Sequence, residues 1–253
     1  MKVKSLLLLV LTLSLASCSS YGQRGIFGSG LQVVTGSGNI KTEVRNLSDF
    51  TGVETNGSIS VTIKRSANFE VKVEADDNLL PYIVPEVSGN VLYIKMKSNM
   101  NIVSSKRMHV YVSMPQLTAL GTRGSGSISC ESKFEGNELV AKTQGSGSIQ
   151  FSFDGKSAVV STQGSGGIKF SGSIRKTEIN THGSGSIKAQ LTAEATQLST
   201  DGSGSINISG TTNNVIAQVQ GSGSINGYDF QSVQATVSTH GFDVNIFKPS
   251  RFK

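Results

Sequence analysis

Tryptophan is absent from this 253-residue chain, and only two cysteines, Cys18 and Cys130, are present. Without tryptophan, and with few tyrosines in its second half, the chain has little to offer as an aromatic platform for sugar rings. Two cysteines cannot build a disulfide framework, so stability has to come from packing. Charge is sparse as well: 23 basic side chains against 17 acidic ones leave a net +6. The excess lies partly in a basic tail, residues 248–253, with Lys248, Arg251 and Lys253, while residues 120–247 hold 8 basic and 9 acidic groups. No basic stripe interleaved with aromatics occurs, which argues against a nucleic-acid partner.

The N-terminus carries a targeting signal. Lys2 and Lys4 precede an apolar run from Leu6 to Leu15, which is too short for a membrane span of roughly 20 residues and describes a secretory signal peptide over residues 1–17. Leu15-Ala16-Ser17-Cys18 resembles a bacterial lipobox, in which Cys18 becomes the acylated first residue of the mature chain and tethers it to a membrane. The plainer alternative is an ordinary signal peptide cut nearby, leaving Cys18 a free thiol. The position of Cys18, where apolar residues give way to polar ones, favours lipidation. Loss of Lys2 and Lys4 leaves 21 basic side chains against 17, a mature charge of +4. Residues 18–44 read as a tether.

What the chain has in abundance is glycine, 29 residues of it, much of it in a repeat. Gly124-Ser125-Gly126-Ser127-Ile128 recurs from Gly145, Gly164 (as Gly-Ser-Gly-Gly-Ile), Gly183, Gly202 and Gly221, with a first step of 21 residues and four steps of 19. A fixed period near 20 marks a solenoid, whose units bury an apolar face only by stacking on their neighbours. Alternation on both sides of the block supports strands. After it, Ile128 and Cys130, Ile149 and Phe151, Ile168 and Phe170, Ile187 and Ala189, and Ile206 and Ile208 share an inward face, while Gln150, Lys169, Lys188 and Asn207 face water. Before it, Val160 and Thr162, Ile179 and Thr181, and Leu198 and Thr200 repeat the inward pattern.

The fold expected is therefore all-β: a parallel β-helix with 19-residue rungs over residues 121–247, about seven rungs and roughly 30 to 35 Å long at ~4.8 Å per rung. A second turn is expected at Asp154-Gly155, Ser171-Gly172 and Ser209-Gly210, and Cys130 reads as a small buried hydrophobe. An antiparallel meander offers the same strand lengths but gives no reason for the block to recur at every second turn only. Residues 45–120 form a less regular strand-rich part, with alternating runs such as Ser58–Ile63, Phe69–Val73, Val91–Met96 and His109–Val112. There Asp76-Asp77-Asn78-Leu79-Leu80 caps one helical turn before Pro81. Gly36-Ser37-Gly38-Asn39-Ile40 and Asn56-Gly57-Ser58-Ile59 echo the later block, which points to widened early rungs or a cap continuous with the solenoid.

Taken together, Asp49-Phe50-Thr51-Gly52-Val53, Gly57-Ser58-Ile59-Ser60-Val61, Val71 to Leu79, Gly89-Asn90-Val91-Leu92-Tyr93-Ile94, Val110 to Pro115 and the Gly-Ser blocks resemble the auto-transporter adhesin head, or head GIN, domain family of bacterial exported proteins. The resemblance covers about residues 45–245. It implies a β-helical ectodomain, often on lipoproteins, with adhesion proposed by name, and it supplies no catalytic residues. No barrel-forming segment of alternating strands follows the repeats, so an autotransporter is not expected.

Chemistry finds little support. The blocks lack the Gly-Lys-Ser/Thr of a phosphate loop and the third glycine of a dinucleotide site, and serine stands where a calcium β-roll needs aspartate. Six equivalent serines describe a turn ladder, not a nucleophile elbow. One column varies: Arg123, Gln144, Gln163, His182, Asp201, Gln220 and His240 precede the blocks. Stacked one rung apart, His182 and Asp201 could hydrogen-bond, but His182 and His240 would stand some 14 Å apart, too far for one zinc ion. The column reads as a polar edge ladder, with no metal or other cofactor and no enzymatic activity expected. The function expected is a lipid-anchored cell-envelope scaffold, an adhesin on the outer membrane that binds protein or glycan. The alternative is a structural or assembly lipoprotein inside the periplasm with no external ligand.

Overall fold

The computed structural model describes residues 32–98, 100–103, 108–241 and 244–249. The signal segment and Cys18 lie outside the described residues. Ten strands form the irregular part: β1 (Gln32–Thr35), β2 (Ile40–Arg45), β3 (Gly52–Gly57), β4 (Ser60–Arg65), β5 (Glu70–Asp76), β6 (Ile83–Ser88), β7 (Val91–Met96), β8 (Met100–Val103), β9 (His109–Met114) and β10 (Ala119–Gly124). Six long strands follow, β11 (Ser127–Gly145), β12 (Ser148–Gly164), β13 (Gly167–Gly183), β14 (Ser186–Gly202), β15 (Ser205–Gly221) and β16 (Ser224–Gly241), and then β17 (Val244–Pro249). Strands thus begin inside the segment expected to be a tether, and Lys248 of the basic tail lies in one.

Each long strand pairs in parallel with the next, so the chain is a β-solenoid and not a meander. Ile149, Ile168, Ile187, Ile206 and Ile225 stand in register on consecutive rungs, all buried. Glycine is required at the block corner for two separate reasons. Gly183 has φ +97°, and a Cβ there would lie 3.0 Å from the Gly164 carbonyl oxygen. Gly185 lies in close approach instead: a Cβ would fall 2.6 Å from Thr162 Oγ1 and 2.8 Å from the Gly166 carbonyl oxygen. Backbone bonds carry the ladder through the corner, with Ser184 N–H donating to Gly164 O (2.9 Å) and Ser186 N–H to Gly166 O (3.0 Å).

The second corner differs from expectation. No break occurs at Asp154-Gly155, Ser171-Gly172 or Ser209-Gly210, which lie within β12, β13 and β15. The rung bends where the buried alternation changes phase: Ile187, Ala189 and Leu191 point inward before the bend, and Thr196, Leu198 and Thr200 after it. In β13 the change falls between Ile174 and Thr177, beyond the glycine taken for the turn. Gly155 answers to core volume instead, and Gly172 and Gly210 to the backbone of the preceding rung, where a Cβ would fall 1.7 Å from the Phe153 carbonyl oxygen and 1.9 Å from that of Leu191. The Phe153 ring occupies the space a Gly155 side chain would need, its Cε1 2.4 Å from the Cβ position. In the next rung Gly172 takes the place equivalent to Phe153, and Ile174, paired with Gly155, supplies the bulk. Large and small residues exchange columns so that each rung fills the same interior.

The irregular first step is absorbed by a bulge. Register between β11 and β12 shifts between Ser129 and Lys133, which places the two extra residues beside Cys130. Cys130 is consequently half-buried rather than fully inward, although it packs against the core.

The N-terminal part caps the stack. β10 lies in register between β3 and β11, and β4 between β9 and β11, so Asn56-Gly57 forms a true early rung corner. The other echo, Gly36 to Ile40, does not: β1 pairs with β8, and β2 runs antiparallel to β5, which runs antiparallel to β9. The Gly36–Asn39 loop instead docks on Asp76-Asp77-Asn78. Gly38 N–H donates to Asp76 Oδ1 (2.7 Å), Ser37 Oγ to Asp77 Oδ1 (2.6 Å) and Ser37 N–H to Asn78 Oδ1 (3.0 Å). The hydroxyl of Ser37 and the amide of Asn39, both donating to the charged form, hold the Asp77 carboxyl down at about 2. With these carboxylates engaged, neither caps the following turn. That turn is a 3-10 helix at Leu80–Tyr82 that includes Pro81 in its first residues, where no N–H is needed, rather than ending before it.

Candidate functional site: the polar faces of the solenoid

The variable column ahead of the blocks forms a continuous ladder. Arg123, Gln144, Gln163, His182, Asp201, Gln220 and His240 pair in register from rung to rung, and Asn56 extends the column below Arg123. The six side chains from Arg123 to Gln220 are exposed; that of His240 is outside the described residues. Arg123 Nε meets Glu54 Oε1 at 2.7 Å. No hydrogen bond or ion pair joins His182 to Asp201, although both are described. Among the described residues no group of three or more His, Cys, Asp or Glu side chains is placed to hold a metal ion.

A second surface, on the face that follows the block, is more concave. Gln150, Lys169, Lys188, Asn207 and Asn226 form its central column in register. Serines flank them: Ser148, Ser186, Ser205 and Ser224 on the block side, and Ser152, Ser171 and Ser209 on the other. Three adjoining depressions run along this column and share Lys188; the most enclosed has a volume of about 160 Å³ and holds Lys169, Gln190 and Ser209 in its lining. Several of the serines bond to each other, Ser152 Oγ to Ser171 Oγ at 3.0 Å and Ser205 Oγ to Ser186 Oγ at 3.2 Å. Cys130 lies at the edge of the enclosed depression, where burial pushes its thiol up to about 12, so that it carries no thiolate near neutrality.

Two ion pairs lie near this groove. Lys133 Nζ lies 2.9 Å from Asp154 Oδ2, and Arg175 Nε lies 3.5 Å from Glu194 Oε1 one rung on. The Ser173 N–H (2.8 Å) and then Lys133 hold the Asp154 carboxyl below its ordinary value. Sequence alternation placed Lys169 and Lys188 on the water-facing side without marking them as a site. The signal available was the same basic residue at one column position in two consecutive repeats.

The model of the family described as "Putative auto-transporter adhesin, head GIN domain" matches residues 49–190 and 175–242. The chain belongs to the head GIN domain family. No curated protein matches it. Among solved structures, a "putative adhesin" from Bacteroides fragilis is similar with a TM-score of 0.76 and 22% identity, over 84% of this chain and 100% of that one. A "putative lipid binding protein" from Parabacteroides distasonis gives 0.74 and 24%, over 86% and 100%. A "putative adhesin" from the same organism gives 0.70 and 21%, over 84% and 98%. At these identities the likeness shows a shared fold, which is the solenoid with its irregular cap.

Proposed function

We propose that this protein is an exported, lipid-anchored cell-envelope adhesin, held to the outer membrane through Cys18, whose solenoid displays polar faces for binding a protein or glycan. The observation that carries the reading is the set of in-register polar columns on a stack whose interior is continuous from rung to rung, an arrangement that presents polar side chains at a fixed interval. Membership of the adhesin-head family supports it. The lipobox-like Leu15-Ala16-Ser17-Cys18 supports the anchor. The reading is one of binding, and serine hydroxyls along the rungs form part of the displayed surface, Ser127 Oγ bonding to Ser60 Oγ at 3.0 Å and Ser205 Oγ to Ser186 Oγ at 3.2 Å.

Two measurements test it. Protease treatment of intact cells should cleave the protein; protection on intact cells with cleavage after lysis would overturn surface display and favour a structural role inside the periplasm. Mass spectrometry of the native N-terminus should find Cys18 acylated, and Cys18→Ser should release or mislocalise the product. An unmodified Cys18, or a mature start beyond it, would remove the anchor.

A further inference from the structure

We propose that the groove over Gln150, Lys169, Lys188, Asn207 and Asn226 binds an anionic polysaccharide carrying one carboxylate per sugar, laid along the solenoid axis. This rests on the binding reading above and gives it a ligand class.

The first observation is the lysine pair. Lys169 and Lys188 stand directly opposite each other on adjacent parallel strands, both exposed. Like charges in that relation destabilise a sheet. Elsewhere on the same two strands the chain does the opposite, placing Arg175 against Glu194. Neither Lys169 nor Lys188 forms an ion pair, and no carboxylate lines the two depressions that hold both. Two unneutralised ammonium groups one rung apart ask for an anion from outside.

The second observation is what continues the column. Gln150 precedes the lysines, and Asn207 and Asn226 follow them, between rows of serine hydroxyls. Asn226 Nδ2 donates to Asn207 Oδ1 at 3.3 Å, which lines the two amides up along the axis. Amides and hydroxyls both donate and accept, as sugar hydroxyls require. A nucleic acid or an acidic protein would gain only the two cations, since a dense polyanion is held by the number of charges it meets. Rungs repeat at about 4.8 Å, so a chain laid along the axis passes Lys169 and Lys188 within about one sugar's length, and the denser its carboxylates the more often one lies within reach of the pair.

The third observation is Tyr228. Register between β15 and β16 shifts between Asn207 and Ser209, so that Gly227 and Tyr228 together stand against Ile208 in this bulge. Bulges re-aim side chains next to sites. Tyr228 is 73% exposed and lines the far depression with Lys188, Asn207 and Asn226. In a chain without tryptophan, the bulge sets an aromatic face at the end of the groove, beside Asp229, its one acidic neighbour there.

The test is a titration of the full-length protein with polygalacturonate fragments. Hyaluronan (one carboxylate per two sugars), neutral dextran and double-stranded DNA serve as comparators. Polygalacturonate is expected to bind with an affinity that falls as salt rises, and at least several-fold more tightly than hyaluronan. The Lys169→Gln/Lys188→Gln variant should lose tenfold or more, Tyr228→Ser several-fold, and Lys142→Gln/Lys156→Gln, which removes two exposed lysines away from the groove, nothing. No binding of polygalacturonate, equal losses in both lysine pairs, or DNA bound as tightly would overturn the assignment. Surface display with no polygalacturonate binding would remove this ligand and leave the adhesin reading standing. Binding with protection on intact cells would retain the ligand and remove the display.

Discussion

Replacing Ile187 by aspartate tests the parallel stack at its centre. Ile187 is 0% exposed and lies in register between Ile168 and Ile206. Losing its buried aliphatic side chain costs about 1.5–3 kcal/mol, and a carboxyl group left without a partner in the same place adds roughly 1–3 kcal/mol. The loss expected is on the order of 3–5 kcal/mol. Lys188, one residue along, is exposed, so Lys188→Asp should cost no stability, and exchanging its like-charge relation with Lys169 for an opposite one should raise it by up to ~1 kcal/mol. Because solenoid repeats interact mainly with nearest neighbours, the damage should be local. Hydrogen exchange should rise first in β13, β14 and β15, with the N-terminal cap retained. Chemical denaturation of the two variants supplies the comparison. Equal losses, or no loss for Ile187→Asp, would mean that the inward and outward faces are reversed and the register is wrong.

Three further outcomes are expected. Gly183→Ala puts a Cβ on a residue with φ +97°, where it would lie 3.0 Å from the Gly164 carbonyl oxygen, and should destabilise by about 1–3 kcal/mol in thermal unfolding; a neutral result would refute the corner geometry. The buried hydroxyls of Thr122, Thr143, Thr162, Thr181 and Thr200 have no hydrogen-bond partner, and the next rung already carries Val219 in that column; Thr181→Val should therefore leave stability unchanged or raise it by up to ~1 kcal/mol, whereas a clear loss would reveal a bond to the hydroxyl. Asp77 is held at about 2 in the folded chain, below its ordinary value of about 3.9. Its contribution is thus present above pH ~4 and fades as pH falls towards 2. The Tm difference between wild type and Asp77→Asn should shrink between pH 5 and pH 2, and a difference that grew with acid would overturn the role given to Asp77 in holding the Gly36–Asn39 loop.

The sequence made the solenoid legible because two positions per rung, the first and third of the block, admit only glycine. The corner needs a positive φ and the neighbouring position a close backbone approach, so the block had to recur at the rung period, and the isoleucine ladder followed from it. The 21-residue first step likewise announced an irregularity, although only the register showed that Cys130 sits in its bulge. The second corner was misplaced because turn residues are its weakest mark: hydrogen bonding continues through it, and the bend is recorded only as a change of phase in what is buried. Gly155, Gly172 and Gly210 look like turn residues but answer to packing or backbone approach from adjacent rungs.

The sequence alone therefore determined the period, the parallel stacking and the inward ladders, since those depend on residues one repeat apart and on local backbone sterics. Tertiary structure decided what depends on residues with no periodic relation. The Gly36–Asn39 loop, a near copy of the block, closes on Asp76-Asp77-Asn78 because antiparallel pairing of β2 with β5 brings those carboxylates beneath it. It likewise decided that Lys169 and Lys188 share a groove with Tyr228 at its end, since a bulge in one rung changes where a side chain points without changing the repeat that precedes it.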